Sequence, residues 1–398
     1  MNESQHDFLV YAMSHPVALA FVETVRKLGD VVDVPAIGRV VNTPDIARSI
    51  LLDDEHFSKT GPGSFGTIIT QIMGDSALLN MDGESHLRLR SKLHDLFSPA
   101  YLRVIEDEVL RQPAEGLACR LCAGETVDVV RFVQLLTGGT VRHMLGMPRQ
   151  EGPQAEADCL ATFRFTRELT DSIGLATKEL SPAQVAAKRV PFERLTGAVA
   201  DAYAREDFPE RSVIGRLKLL GLTADEARGV VAAILIAGTE TLSTAIPRMV
   251  ALLVDSGQLS LLRAQPELTQ AAIDETLRFV VPSPITLRSV RRDCTVGGFR
   301  FKSGQRVMLI TYNLFKHASL YPRPRRFDIR REQPAVGRNL WFGAGHHFCL
   351  GFALAQREMR AVLEVLLRLP REISVVRRAY ARGTLIPGYS RLEVRLPA

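Results

Sequence analysis

Phe342-Gly343-Ala344-Gly345-His346-His347-Phe348-Cys349-Leu350-Gly351 is the stretch on which the reading of this chain turns. A run with its pattern, F-G-x-G-x-H-x-C-x-G, would arise by chance about once in a million chains of this length at average residue usage. Gly343 and Gly345 carry no Cβ and so allow positive φ and a tight loop, while Gly351 lets the main chain lie close against a flat ligand. From Leu350 to Met359 the apolar residues take a helical period, which predicts that the sulfur sits at a helix N-terminus. The dipole and free N–H groups there favour a thiolate over a thiol. A buried structural cysteine behind a glycine-rich turn is the plainer alternative, and the residues upstream decide between the two.

The chain has 398 residues, 46% of them hydrophobic, enough for a large core. No Pro/Ser-rich linker, repeat or low-complexity tract divides it, so one domain over 1–398 is expected. The apolar stretch nearest the N-terminus, Val17 to Val22, is far shorter than the ~20 residues of a membrane span and lacks a signal-peptide layout. A soluble, cytoplasmic protein without a membrane anchor is expected. Five cysteines, at 119, 122, 159, 294 and 349, form no disulfide framework for a chain of this size. Cys119 and Cys122 spell C-x-x-C, which suits redox or metal chemistry, but no second pair or histidine cluster accompanies them, and packing along one helix face is the simpler reading. The net charge of +6 and pI near 9.2 come with dispersed arginines and no aromatic-basic pattern, so nucleic acid is excluded and an acidic protein partner preferred.

Helix dominates, with strands as a minor partner. Thr223-Ala224-Asp225-Glu226 is a capping box that opens a helix running to about Asp255, where Ser256-Gly257 stops it. At 1.5 Å per residue such a helix is roughly 45 Å long. Its centre, Val230 to Thr241, is almost continuously apolar, which predicts burial on most sides. Pro247 lies further along it and removes a hydrogen bond to the carbonyl of Ser243. A second helix is predicted between Pro266 and Pro282. Cys294-Thr295-Val296 and Phe299-Arg300-Phe301 flank Gly297-Gly298, a hairpin signal.

Inside the long helix stands Ala237-Gly238-Thr239-Glu240-Thr241. Glycine in a helix centre costs up to about 1 kcal/mol relative to alanine, so something must offset it. Glu275 and Arg278 place opposite charges three residues apart on one helix face. His86 and Arg90, within Asp82-Gly83-Glu84-Ser85-His86-Leu87-Arg88-Leu89-Arg90, are one turn apart on one face, whereas Arg88 points elsewhere. Taken singly, these read as a bent helix, a solvated ion pair and a solvated basic helix.

Together with the cysteine loop they resemble, in order and spacing, the cytochrome P450 family, with motifs spanning residues 82 to 351. The resemblance implies a mainly α fold with a small β region, the cytochrome P450 fold, holding haem b between the long helix and the helix led by Cys349. In that family the cysteine thiolate is the axial iron ligand and pushes electron density that favours O–O cleavage. Cys349 is the implied metal ligand, with Phe342, Gly343 and Gly351 against the cofactor and His347 reaching a haem carboxylate. His86 and Arg90 match the family's H-x-x-x-R propionate helix, and Arg288 its third propionate position. Ala237 and Gly238 leave room for O₂, and Glu240 and Thr241 are the implied proton-relay pair. Glu275 and Arg278 become a buried structural lock, completed by Arg326 from Pro324-Arg325-Arg326-Phe327, or by nearby Arg330. The segment Phe315-Lys316-His317-Ala318-Ser319-Leu320-Tyr321 departs from the family's N-R-D-P wording.

The resemblance further implies a monomeric, bacterial-type monooxygenase that inserts one atom of O₂ into a C–H or C=C bond of an organic substrate. With no fused flavin or ferredoxin segment in view, electrons are expected from a ferredoxin and its NAD(P)H-dependent reductase. A peroxide-driven peroxygenase is the alternative, though such relatives lose the acid-alcohol pair; a non-enzymatic haem sensor is a remoter one. Ile234, Ala237, Ile285, Leu287, Leu385 and Ile386 are expected at the substrate pocket. That apolar wall predicts a substrate hydrophobic at its oxidised end, with any charge held near the mouth. Secondary-metabolite tailoring and lipid or xenobiotic oxidation both remain open.

Overall fold

The computed structural model describes residues 3–397 apart from 63, 148–151, 171–176, 178, 206–208 and 385. Its principal helices are α1 (Phe65–Met73), α2 (Gly83–Leu93), α3 (Val129–Leu145), α4 (Gly152–Thr170), α5 (Pro182–Arg205), α6 (Ala224–Asp255), α7 (Thr269–Val280) and α8 (Phe352–Arg368). The strands used below are β1 (Val31–Val34), β2 (Gly38–Val41), β3 (Phe57–Ser58), β4 (Thr286–Val290), β5 (Cys294–Val296), β6 (Phe299–Phe301), β7 (Arg306–Leu309), β8 (Ser374–Tyr380) and β9 (Tyr389–Arg395).

The long helix begins as its sequence predicts. Thr223 Oγ1 accepts from the Glu226 N–H and the Glu226 carboxylate accepts from the Thr223 N–H, so two orphan donors of the first turn are satisfied. From there α6 threads two apolar cores. Its first half sends Val230, Val231 and Leu235 into a cluster with Ile68 and Ile72 of α1 and Val199 of α5. Its second half sends Ile246, Met249 and Leu253 into another cluster with Leu277 of α7 and Met359 and Val362 of α8. Each such side chain, fully buried, contributes about 1.5–3 kcal/mol, which offsets the glycine and the proline that α6 carries. Among the described residues α6 is also the one helix long and apolar enough to cross a bilayer, and the two cores account for that composition.

Between the cores lies the Ala237–Thr241 segment, where Ala237 is exposed and Thr239 fully buried. Its hydroxyls bond back into the helix: Thr239 Oγ1 donates to Leu235 O (2.6 Å) and Thr241 Oγ1 to Ala237 O (2.9 Å). The side-chain direction of Gly238 is taken by α3, since a Cβ there would come within 2.9 Å of Val141 Cγ2. The smallness of Gly238 is therefore spent on helix packing, and Ala237 is the residue that opens into uncovered space.

The five-stranded sheet runs in the order β1-β2-β7-β4-β3. β4 and β7 are antiparallel, with Leu287 opposite Met308, Arg288 opposite Val307 and Ser289 opposite Arg306. Side chains alternate across a strand. Leu287 accordingly packs, as does Ile285, against a third apolar cluster built on Met308, Ile310 and Tyr312, whereas Thr286 shares the face of Arg288. This corrects the expectation that Ile285 and Leu287 line the substrate pocket. β5 and β6 form the expected hairpin, Gly297 and Gly298 both taking positive φ (58° and 82°) as its tight turn requires. Cys119 and Cys122 lie on one helix as read, but both are exposed, not packed.

Candidate active site

The cysteine loop folds on its glycines. Gly343 and Gly345 take φ of 80° and 65°, and the turn closes with the Cys349 N–H donating to Phe342 O (2.9 Å) and the Phe348 N–H to Gly345 O (3.0 Å). A Cβ on Gly345 would lie 2.6 Å from Leu51 O, so no other residue fits there. α8 starts three residues beyond Cys349, and Phe342, Phe348 and Phe352 form an aromatic group with centroids 4.9 to 6.2 Å apart. Burial pushes the Cys349 thiol up; the Gly351 N–H, Arg90 and Lys59 pull it the other way without overcoming burial. The helix start alone therefore does not make a thiolate, and a directly bound cation is what would hold the sulfur ionised.

Around this loop the fold gathers basic side chains. On α2, His86 and Arg90 face inward and Arg88 outward, and Arg90 Nη2 donates to Phe348 O (2.5 Å). Arg288 on β4 is 4% exposed, and its Nη1 donates to its neighbour's carbonyl, Leu287 O (2.9 Å). Lys59, next to β3, joins them, although nothing in its local sequence signals a role. Burial, then Arg288, push its ammonium down to about 7, with Asp82 opposing. Burial, then Lys59 and Arg90, likewise push His86 down to about 4.

Asp82 organises this group. It stands at the N-cap of α2 but makes no side-chain cap. Its carboxylate instead accepts from the Lys59 N–H (2.8 Å), the Thr60 N–H (3.1 Å) and Ser58 Oγ, from Arg291 Nη2 (3.2 Å) and from His347 Nε2 (2.8 Å). Burial works against ionisation there, but the bonds from His347, Ser58 and Thr60 hold the carboxyl well below the usual carboxylate range. Burial keeps His347 down to about 3 despite Asp82. A neutral His347 has one ring proton, and a carboxylate can only accept, so that proton goes to Asp82. Its ring lies 4.3 Å from that of His86, whose Nδ1 is buried without a hydrogen-bond partner. His347 thus orients Asp82 in this structure, where it was expected to face a haem carboxylate directly.

The lock beneath the site is built on Glu275 and Arg278, both fully buried. Arg278 Nε and Nη2 donate to the two Glu275 oxygens (2.6 and 2.8 Å), and Nη1 reaches Phe315 O and Pro324 O. The third arm is Arg331, whose Nε donates to Glu275 Oε1 (3.2 Å). Arg326 offers only its carbonyl, which accepts from Arg278 and Arg331, and Arg330 turns to Gln265. The correction has a local cause: Arg331 N–H bonds back to Asp328 O, a turn that brings residue 331 over Glu275, while Asp328 N–H donates to that same carboxylate. Where the family wording is missing, Lys316 Nζ donates to Phe279 O (3.1 Å) and lies 3.6 Å from the Phe279 ring centroid. Of the expected pocket residues, Ile234 and Ile386 are partly buried, and Leu385 lies outside the described residues.

The donor set fits the cofactor that the motifs imply. Lys59, His86, Arg90 and Arg288 converge near a cysteine with Asp82 as the carboxylate among them, and they depress one another's proton affinity. Such a group asks for further negative charge, and a buried imidazole nitrogen without a partner asks for a donor or acceptor. A flat dicarboxylate carrying a thiophilic metal supplies both.

The Cytochrome P450 family profile matches residues 262–369. Cytochrome P450 140 of Mycobacterium tuberculosis is 34% identical over 334 residues, covering 81% of this chain and 74% of its own. The C-19 steroid 1alpha-hydroxylase of Sorangium cellulosum is 27% identical over 301 residues, 74% of this chain and 73% of its own. In three dimensions, a mutant of P450 EryK in complex with erythromycin B superposes with a TM-score of 0.81 at 22% identity, over 100% of this chain and 98% of its own. With the loop, the lock and the cation group in place, the chain belongs to the cytochrome P450 family. It is accordingly a monooxygenase of that family, and its cofactor is haem b.

Proposed function

We propose that the chain, as one unit over 1–398, oxidises a largely hydrophobic organic substrate, hydroxylating a C–H bond or epoxidising a C=C bond. The observation that carries this is the group of basic side chains gathered around Asp82 beside Cys349. When bound, haem b supplies O₂ activation: one oxygen atom goes to the substrate, the other leaves as water, and two electrons and two protons are consumed. Cys349 would hold the iron, with Gly343, Gly345 and Gly351 shaping the loop. Lys59, His86, Arg90 and Arg288 would bind the carboxylates, and His347 would keep Asp82 in place between them. Glu240 and Thr241 would deliver protons: Thr241 Oγ1 donates to Ala237 O (2.9 Å) and keeps its lone pairs for a second partner. Ile234, Ala237 and Ile386 are apolar, and burying an unpaired charge against them would cost several kcal/mol. The steroid named for one relative supports such a substrate.

The test is spectroscopic and then chemical. Hydrophobic candidates should shift the Soret band of the haem-loaded protein, and product should require NAD(P)H, a ferredoxin and a reductase. Product formed with peroxide alone would overturn the electron-donor part of the reading. Thr241→Ala and Glu240→Ala should bind haem and substrate normally yet divert reducing equivalents to hydrogen peroxide; unchanged coupling of NAD(P)H to product in both removes them from the relay. The net charge of +6 favours an acidic ferredoxin. Electron transfer should slow as salt shortens the Debye length below about 8 Å. A rate that stays flat from low to high salt would argue against electrostatic docking.

A further inference from the structure

Arg248 lies at helical spacing on the face of α6 that carries Ala237, Thr241 and Thr244. It is 1% exposed, and a guanidinium stays protonated at any physiological pH, so α6 holds a cation inside the protein. Its Nη2 pairs with the carboxylate of Asp7, itself buried, in the N-terminal helix Glu3–Ser14. Its Nη1 donates to Val280 O (3.0 Å) at the end of α7 and to Pro387 O (3.3 Å). Tyr11, one turn after Asp7, has its ring 4.7 Å from the guanidinium and donates to the same Val280 carbonyl (2.5 Å). Three segments far apart in sequence thus meet on one side chain that the proton relay and the haem site do not use.

The Pro387 side of this network reaches the segment that opens into uncovered space. A Cβ on Gly388 would stand 2.9 Å from Thr244 Cγ2, so the chain at 386–388 lies directly against α6. Thr244 Oγ1 in turn donates to Thr241 O (2.9 Å) and lies 3.3 Å from Glu240 O. The limb at 381–383 is held by the same N-terminal helix: Ser14 Oγ donates to Ala381 O (3.1 Å), and Ser14 O accepts from the Gly383 N–H (2.9 Å). The two limbs join where the Ala381 N–H donates to Gly388 O (3.0 Å). The helix therefore grips one limb through its last residue and the other through Asp7 and Arg248.

Apolar side chains of similar volume fasten one helix to another at least as well as a buried ion pair does. What the pair adds is direction, because the planar guanidinium fork meets its acceptors in one arrangement and so fixes where the two carbonyls lie. We propose that Asp7 and Arg248 are positioning residues that hold the limb at 386–388 against α6, as a preformed apolar wall beside the opening at Ala237. The proposal rests on the hydrophobic-substrate reading above and adds the device that keeps the pocket in shape before the substrate arrives, which spares binding the loss of ordering that wall. Asp7→Asn keeps the shape of the side chain, removes its charge and leaves Arg248 both carbonyls. Asp7→Leu combined with Arg248→Met replaces the whole pair by apolar groups and should melt near wild type.

The probes are imidazole and 1-phenylimidazole, added to the haem-loaded protein and read by the Soret shift. Both present the same kind of ring nitrogen to the iron, so the phenyl group isolates contact with the wall. Wild type should bind 1-phenylimidazole about 10- to 100-fold more tightly than imidazole, the span expected for burying a phenyl ring. In Asp7→Asn and in the double variant that advantage should fall about 5-fold or more, because the wall is in place for only part of the time, while imidazole binds as before. Backbone hydrogen exchange at Ala381, whose N–H bridges the limbs, should quicken in both variants. No phenyl advantage in wild type, an advantage unchanged in the variants, an equal loss for imidazole, or exchange at Ala381 unchanged in both overturns the proposal. The exchange measurement needs no iron ligand, so it decides the clamp even if neither azole shifts the Soret band. The monooxygenase reading fails separately, if no hydrophobic compound shifts that band.

Discussion

Cys349→Ala abolishes the carbon-monoxide spectrum characteristic of thiolate ligation and leaves haem loosely held. The expectation follows from the loop itself. The Cys349 N–H is tied to Phe342 O (2.9 Å), so the sulfur cannot be replaced by a neighbour without undoing the turn. Burial pushes the thiol up, so the pocket stabilises a thiolate only through a directly bound metal. Cys119, Cys122, Cys159 and Cys294 stand on other elements and should each be replaceable without losing the spectrum. A Cys349→Ala protein that kept it would remove this residue as the iron ligand, whatever the family.

The second large effect is on stability. Glu275 accepts from Arg278, Arg331, Gln333 and the Asp328 N–H, all in a region closed to water. Removing one partner of a buried pair leaves the other charge uncompensated, at about 3–5 kcal/mol. Against a total stability of about 5–15 kcal/mol, that is a large part of the margin. Glu275→Ala and Arg278→Ala should therefore yield little folded, haem-retaining protein. Arg331→Ala should lower the urea midpoint less, because its side chain is 10% exposed and bonds one carboxylate oxygen. Arg326→Ala should leave the midpoint almost unchanged, since only its main chain takes part. Equal damage from Arg326→Ala and Arg331→Ala would show that the third arm is misassigned.

Much of this molecule was legible in its sequence where the signal is local. The capping box at Thr223, the Gly297-Gly298 hairpin and the glycines of the cysteine loop are short-range backbone chemistry, and each sits where its residues imply. The helical spacing of His86 and Arg90 likewise placed both on the inner face of α2. Misreadings arose where a long-range contact decides. Arg331 displaces Arg326 because a turn at Asp328 carries the chain onto a helix more than fifty residues upstream. The face taken by Leu287 depends on where β4 begins its alternation, which a short strand does not declare. Gly238 looked like space for a ligand, and the space is used by Val141 of a helix far away in sequence. Lys59 had no signal at all, because its role comes from the backbone bonds that Asp82 makes to residues 59 and 60.

The passage of α6 through two cores has an evolutionary consequence. The half holding Met249 and Leu253 is packed with α7 and α8, the helices that carry the lock and follow the cysteine, while the half holding Val230 and Leu235 is packed with α1 and α5. The two sets meet at Phe97 and Tyr101, which pack against both, and the second also takes in Leu89 and Leu93 of α2 and Leu350 beside Cys349. A substitution in the second set that avoids these residues is the one expected to leave the first undisturbed, since effects at distant sites with no shared partners are nearly additive. The helix thus parts inheritance of chemistry from inheritance of specificity except where those shared residues join them. A lineage can keep the first fixed while it explores the second, and directed evolution of this enzyme would be best aimed at residues that α6 contacts before Ala237.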